Sequence, residues 1–400
     1  MYALGQATLA RACWSRRQLF EVMADFWSNH LNVTNPFDGG WDNRQAYDRD
    51  VIRRYALGKF SDLLRASAVS PSMLFYLDNR SSTKTHPNEN YARELMELHT
   101  VGVGAGYTEA QVQSAAQLFT GLTVDQNTGL FRYDPALHAT GPVRVLGFSH
   151  PNSTAVGGQA AAMGFLNYLA MHPATAARIA GKLCLRFVSD TPPSALVSRL
   201  ARVYLQNGSA IVPVLRALFS SPEFRSSAGA KLRRPMEDLV ATVRVLGLRP
   251  ETITSSNPKG VKGIQGLYWM VTDAGQQPMG WHPPNGYPDV APAWGTAATA
   301  LARWNGHLQL AANWWPAELK PPVALRQYLL PVLPGTYGAL VDALALRLVG
   351  IRLRPAHTAA LMTFLGKTPS SVLRSTDPAV GWRFPYLVAL ILDSPYFSFR

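Results

Sequence analysis

Apolar positions recur every three to four residues over most of this chain, which predicts helices nearly throughout. Residues 5–31 read as one helix or a helix pair closing on Phe26-Trp27-Ser28-Asn29-His30. Helices follow over 43–57 and 60–78, the second broken near Ser70-Pro71. Thr108, with capping-box spacing to Gln111, opens another that ends near Gly121. Helical periodicity resumes near 158–170, 173–188, 194–206, 210–220 and 235–246. It continues near 296–314, 323–332, 336–348, 356–365 and 384–392. Between 129 and 147 the period shortens: Leu130-Phe131-Arg132-Tyr133 and Val143-Arg144-Val145-Leu146 alternate around a Gly/Pro-bearing loop and predict a β-hairpin. The expected fold is therefore mainly α, a multi-helix array with one short hairpin insertion. Along the chain it divides into a helical half over 1–128, the insertion over 129–157 and a helical region over 158–400. The last of these contains a loop-rich stretch at 250–295. Two helices close on Ser-Pro-x-Phe (Ser221-Pro222-Glu223-Phe224 and Ser394-Pro395-Tyr396-Phe397), which shared helix-stop chemistry explains without a duplication.

The segment from Asn88 to His99 departs from the usual amphipathic proportions. At about 100° per residue, Glu89, Arg93, Glu97, Asn90 and Glu94 share a narrow polar stripe, while Tyr91, Ala92, Leu95, Met96, Leu98 and His99 fill the wider arc. A helix with that balance is expected to be central, with its carboxylates at least partly desolvated and therefore partnered. Glu89–Arg93 and Arg93–Glu97 are both i,i+4 pairs, so a bridged ion network is one reading. The other makes Glu94 a general base or metal ligand, with Arg93 as an electrostatic clamp. Glu94 and His99 lie about 140° apart on an ideal helix and cannot share a metal without a bend, and the segment lacks the spacing of helical metal sites. No metal site is assigned.

His30, His138 and His172 are the histidines that could converge on this stripe, each with a plain structural alternative as cap or loop residue. Six of the ten tryptophans fall between 269 and 315, beside Gly280-Trp281-His282-Pro283-Pro284-Asn285-Gly286-Tyr287-Pro288-Asp289. Trp281, Asn285, Tyr287 and Asp289 there could line a groove for a polymer, or the aromatics could simply pin an irregular segment.

Composition adds mainly exclusions. The 400 residues are 47% hydrophobic and 16% charged, which excludes a disordered chain. No apolar run reaches the roughly 18 residues of a transmembrane helix. The start of the chain as given lacks the layout of a signal peptide. The net charge of +13 invites a nucleic-acid reading. However, the arginines are scattered and many interrupt apolar helical faces, so no nucleic-acid partner is expected. Cys13 and Cys184 are too few and too far apart for a disulfide framework or a cysteine zinc site. No nicotinamide, flavin or nucleotide fingerprint is present, and no cofactor is assigned.

Phe26-Trp27-Ser28-Asn29-His30, Tyr76-Leu77-Asp78-Asn79 and the run Pro87 to Thr100 together resemble the bacterial family called domain of unknown function 1800. Leu118-Phe119-Thr120-Gly121, His172-Pro173-Ala174-Thr175-Ala176, Lys182-Leu183 and Pro283-Pro284-Asn285-Gly286-Tyr287-Pro288-Asp289 match as well, and the resemblance covers nearly the whole chain. It implies a bacterial protein, often exported to the periplasm or beyond, whose companion belongs to a second family, domain of unknown function 1501. Family members usually carry a further N-terminal helical segment, so this chain is expected to begin after it. Where the family has His-Asp and then a lysine, this chain has His138-Ala139 and Val143-Arg144. Two functions are carried forward. One is a hydrolase-like enzyme using acid/base or metal-assisted chemistry on an extracellular polymer, with Glu94, Arg93, His30 and His172 as catalytic candidates. The other is a non-catalytic exported scaffold or binding protein.

Overall fold

The computed structural model describes residues 2–37, 43–256 and 258–400. Helices form where the periodicity places them, including Gln18–His30, Glu109–Phe119, Gly158–Ala170, Pro173–Phe187, Ser194–Gln206 and Tyr337–Val349. Local chemistry sets their ends. Thr108 accepts from Gln111 N at 3.4 Å, and proline occupies the first turn at Pro71, Pro173 and Pro235, where a missing N–H costs nothing. Both Ser-Pro-x-Phe motifs stop a helix in the same way: Ser221 and Ser394 donate their hydroxyls to the carbonyls of Leu218 and Ile391.

The hairpin region contains strands at both expected positions, but they do not pair with each other. β1 (Leu122–Val124) pairs antiparallel with β2 (Phe131–Tyr133), and β3 (Val143–Val145) pairs with β4 (Phe148–His150). The reason is turn chemistry. Leu146 and Gly147 both take positive φ (51° and 89°), the two-residue turn that suits a tight hairpin, so β3 folds back on its nearest neighbour. Asp125 accepts from the N–H groups of Asn127 and Thr128, which closes the β1–β2 loop likewise.

The chain groups into two compact units, with limits other than those read along the sequence. The first comprises residues 17–227 with 279–288. Its core includes Trp27, Phe60, Tyr91, Phe119, Phe165 and Tyr204, all fully or almost fully buried. Trp27 Nε1 donates to Ala56 O at 2.9 Å, so this large side chain is buried with its one donor satisfied.

The second unit comprises residues 2–16, 228–278 and 289–400, with a core that includes Leu267, Tyr268, Leu340, Leu344, Phe384 and Leu387. Cys13 lies buried in it, and burial pushes its thiol up to about 12. Cys184, in the first unit, is raised by burial to about 11, so both are inert core thiols. This second core also encloses charge. His307 Nε2 meets Asp238 Oδ2 at 2.8 Å, His307 Nδ1 meets Asp393 Oδ1 at 2.7 Å, and Arg303 Nη2 donates to Asp238 Oδ1 at 3.0 Å. An imidazole facing a carboxylate on each nitrogen is best satisfied as imidazolium. Burial alone would lower its affinity for a proton, but Asp238 and Asp393 outweigh that and raise it. Burial likewise disfavours the Asp238 anion, yet His307 and Arg303 hold its carboxyl below the usual value.

Removing one member of such a buried set strands the others, at a cost of about 3 kcal/mol. His307→Gln is expected to lower the urea unfolding free energy by that order near pH 6. Because the folded-state value of His307 is raised, its contribution is complete below the ordinary histidine range and declines as pH rises through the raised value. The gap between wild type and variant should therefore narrow towards alkaline pH. A gap of the same size at pH 6 and pH 9 contradicts the imidazolium assignment.

Candidate active site

The segment that opens at Asn88 is α-helical only over Glu89–Glu94; Leu95–His99 continue as a π-helical turn. Asn88 caps the start, accepting from Tyr91 N at 3.1 Å and donating to Leu77 O at 2.8 Å. Tyr91, Ala92, Leu95, Met96 and His99 are buried, as the wide apolar arc requires. Glu89, Arg93, Glu94 and Glu97 are half-buried and Asn90 is exposed, so the ionised groups lie at the rim of the core. The expected Glu89–Arg93–Glu97 bridge is replaced. Arg93 forms a two-pronged pair with Glu109, with Nη1 on Oε2 at 2.8 Å and Nη2 on Oε1. Glu109 opens the next helix, where the helix dipole already favours a carboxylate and a bidentate geometry is available. Arg93 is thereby compensated and is no free clamp.

The π-turn ends with the His99 carbonyl outside any intrahelical bond. His30, the last residue of Gln18–His30, fills that vacancy: its Nε2 lies 3.0 Å from His99 O. A carbonyl can only accept, so Nε2 carries the proton and Nδ1 is bare. Lys182 Nζ sits 3.0 Å from that Nδ1 and donates to it. His30 is thus locked neutral in one tautomer. Burial, followed by the charge of Lys182, keeps its protonation well below the ordinary histidine range. The His99 ring lies 6.3 Å from His30 and is pushed down to about 3 by burial and by Lys182 and Arg178. Its Nε2 is buried without a hydrogen-bond partner among the described residues.

Glu94 faces another group. Tyr76, whose hydroxyl is raised to about 12 by burial and by the nearby Glu94 charge, donates to His282 O. That carbonyl belongs to a ten-residue strap, 279–288, tied to the end of Gln18–His30 and the residues after it. Asn29 donates to Tyr287 O at 2.9 Å and accepts from Tyr287 N at 2.7 Å. Asn32 donates to Trp281 O and Pro283 O, and Asn35 N to Met279 O. At Gly286 (φ 72°) a Cβ would collide with the Asn29 carbonyl, so the close approach requires glycine. Glu94 itself is raised above the ordinary carboxyl value, first by burial and then by Glu97, with Arg93 opposing. Glu97 in turn faces Tyr107, whose hydroxyl burial and that carboxylate raise to about 12.

The predicted residues therefore separate. His30 and Glu94 lie on elements that meet in the first unit, whereas His172 is a helix cap: its Nδ1 accepts from Ala174 N at 3.2 Å and its ring packs on Tyr168. His138 is buried between Thr120 O and Asn152 Oδ1, each at 2.9 Å. Trp281 Nε1 donates to Asn285 Oδ1 at 2.8 Å and its ring packs 4.9 Å from Tyr287, so these three side chains and the strap backbone form one preorganised piece. Asp289 belongs to the second unit, where Lys231 Nζ lies 3.3 Å from its Oδ1. Among the described residues no three His, Cys, Asp or Glu side chains are grouped as a metal would require.

The sequence model of the family described as "Protein of unknown function (DUF1800)" matches residues 1–399. The chain belongs to the DUF1800 family. No curated protein and no solved structure matches it. For this DUF1800 chain, Arg178 and Asn32 were not singled out from sequence, and Asn29 and Lys182 stood only within the matching motifs, with no role given to them. The i,i+4 spacing of Arg178 and Lys182 along Pro173–Phe187 is the signal that could have found the two cations.

Because the fold raises the Glu94 carboxyl, its ionised form costs stability above the raised value and costs nothing below the ordinary one. Glu94→Gln is expected to raise the melting temperature at pH 7 and to leave it unchanged near pH 4, as read by calorimetry. A variant less stable than wild type at pH 7 would show that the carboxylate is a structural anchor instead.

Proposed function

We propose that this DUF1800 chain is a hydrolase-like enzyme in which Glu94 performs general acid–base chemistry beside the 279–288 strap. The observation that carries the reading is the setting of Glu94: a half-buried carboxyl with raised affinity for protons, hydrogen-bonded to no basic side chain among the described residues, next to Tyr76 and the strap. Such a group takes a proton from an attacking water and returns it to the departing oxygen, with a proton affinity nearer to neutrality than an exposed glutamate has. Trp281 and Tyr287, half-buried and packed on each other on a braced backbone, are the aromatic groups of the strap that the rings of a polymer would meet. Action outside the cytoplasm, alongside a companion of the domain of unknown function 1501 family, is part of the same reading and rests on family resemblance.

A second reading, a non-catalytic scaffold, draws support from the Arg93–Glu109 pair and from the ion set around His307, which hold helices without serving a site. The two readings part on activity. The purified chain, incubated with a panel of bacterial envelope and extracellular polysaccharides, is expected to release soluble fragments. Glu94→Gln should reduce that release about 100-fold or more while the helical circular dichroism stays unchanged. Equal release by the variant would remove Glu94 from the chemistry, and copurification of a companion without any fragment release favours the scaffold.

A further inference from the structure

Arg178 lies half-buried on Pro173–Phe187, and nothing in the proposed chemistry yet uses it. Among the described residues its only hydrogen bonds are two long ones to a single carbonyl, Nε and Nη2 to Leu98 O at 3.4 and 3.3 Å. Among the described residues no carboxylate pairs with it, although the chain's other half-buried arginines commonly have one: Arg53 holds Glu21 and Arg199 holds Glu223. A desolvated guanidinium left without an anion is costly, so a fold that keeps one leaves room for a charge from outside. The groups around it can donate as well. His99, 2% exposed, offers the orphaned Nε2. Thr175, fully buried, has an Oγ1 without a partner among the described residues and stands three residues before Arg178 on the helix, with Lys182 one turn further along. Gly102, with φ of 88°, brings its backbone against the guanidinium where a Cβ would press on Nη1 at 3.0 Å.

We propose that Arg178, with the His99 ring and the ammonium of Lys182 beside it, binds an oxyanion, the phosphate or carboxylate group of an anionic substrate. The inference deepens the enzyme reading by naming the substrate class of that site, but it is tested by binding alone. Arg178 supplies the fork that grips two oxygens, and a neutral His99 donates through Nε2 without adding a charge that burial would penalise.

The probe is inorganic phosphate, with acetate as the carboxylate arm, titrated by calorimetry into the full chain and followed by thermal shift. Phosphate is expected to bind saturably and to raise the melting temperature. Arg178→Gln should weaken binding about 10-fold or more and abolish the shift, while itself melting no lower than wild type in phosphate-free buffer, since a half-buried charge without a carboxylate partner has been removed. Arg178→Lys keeps the charge without the fork and should bind at an intermediate level. The surface control Arg49→Gln should leave binding unchanged, because Arg49 pairs with Asp50 in the open. Tighter phosphate binding identifies a phosphoryl group, and tighter acetate binding a uronate-like carboxylate. Absence of saturable binding of either ion, or equal binding by Arg178→Gln, overturns the proposal. Binding without polymer release would overturn the hydrolase reading and leave the oxyanion site standing; release without binding would do the reverse.

Discussion

The first unit depends on a single buried joint, the hydrogen bond from His30 Nε2 to the carbonyl of His99. Both partners lie at the ends of their helical elements. His30 closes Gln18–His30, and the π-turn Leu95–His99 runs out one residue before Thr100, so each end has polar groups that its own element cannot satisfy. The bond satisfies the His99 carbonyl with the His30 side chain, and the placing of the neighbouring lysine follows from the proton it puts on Nε2. Nδ1 is left bare, Lys182 is drawn to it, and a lysine charge is fixed beside two imidazoles that must then stay neutral.

The same helix end organises the opposite flank. Asn29, Asn32 and Asn35 come at or just after the close of Gln18–His30, where free donors and acceptors are needed to hold an irregular strand of chain. They hold the strap 279–288 through its backbone, on which the half-buried Trp281 and Tyr287 rings pack against each other. Tyr76 then links strap to carboxylate, one atom donating to His282 O while its ring stands within the field of Glu94. The proposed acid–base role rests on this flank, where burial and Glu97 raise the Glu94 carboxyl beside Tyr76.

Much of the fold was legible because its helices are amphipathic and punctuated. The Thr108 cap, the first-turn prolines and the Ser-Pro stops are local chemistry, and local chemistry can be read from spacing. The strand partners were not legible, since β3 and β4 are joined by a turn whose decisive feature is positive φ at Leu146, a residue type that rarely adopts it. Within the site, the interior course of residues 88–99 could be read from its wide apolar arc. The partner of Arg93 could not, because Glu109 sits on the following helix and only tertiary packing brings it near. Periodicity also assumes 100° per residue, and the π-turn breaks that assumption just where His99 must meet His30. His172 shows the converse: a histidine before Pro-Ala-Thr looks the same whether it caps a helix or lines a cleft, and here it caps.

The most direct measurement is the titration of the histidine rings of the full chain by nitrogen-15 NMR from pH 4 to pH 8. If the joint is as described, His30 keeps its proton on Nε2 and stays neutral well below the ordinary histidine range, and His99 gains no proton until the pH approaches about 3. A His30 ring protonated on Nδ1, or either ring titrating near the ordinary histidine value of about 6.5, would contradict it.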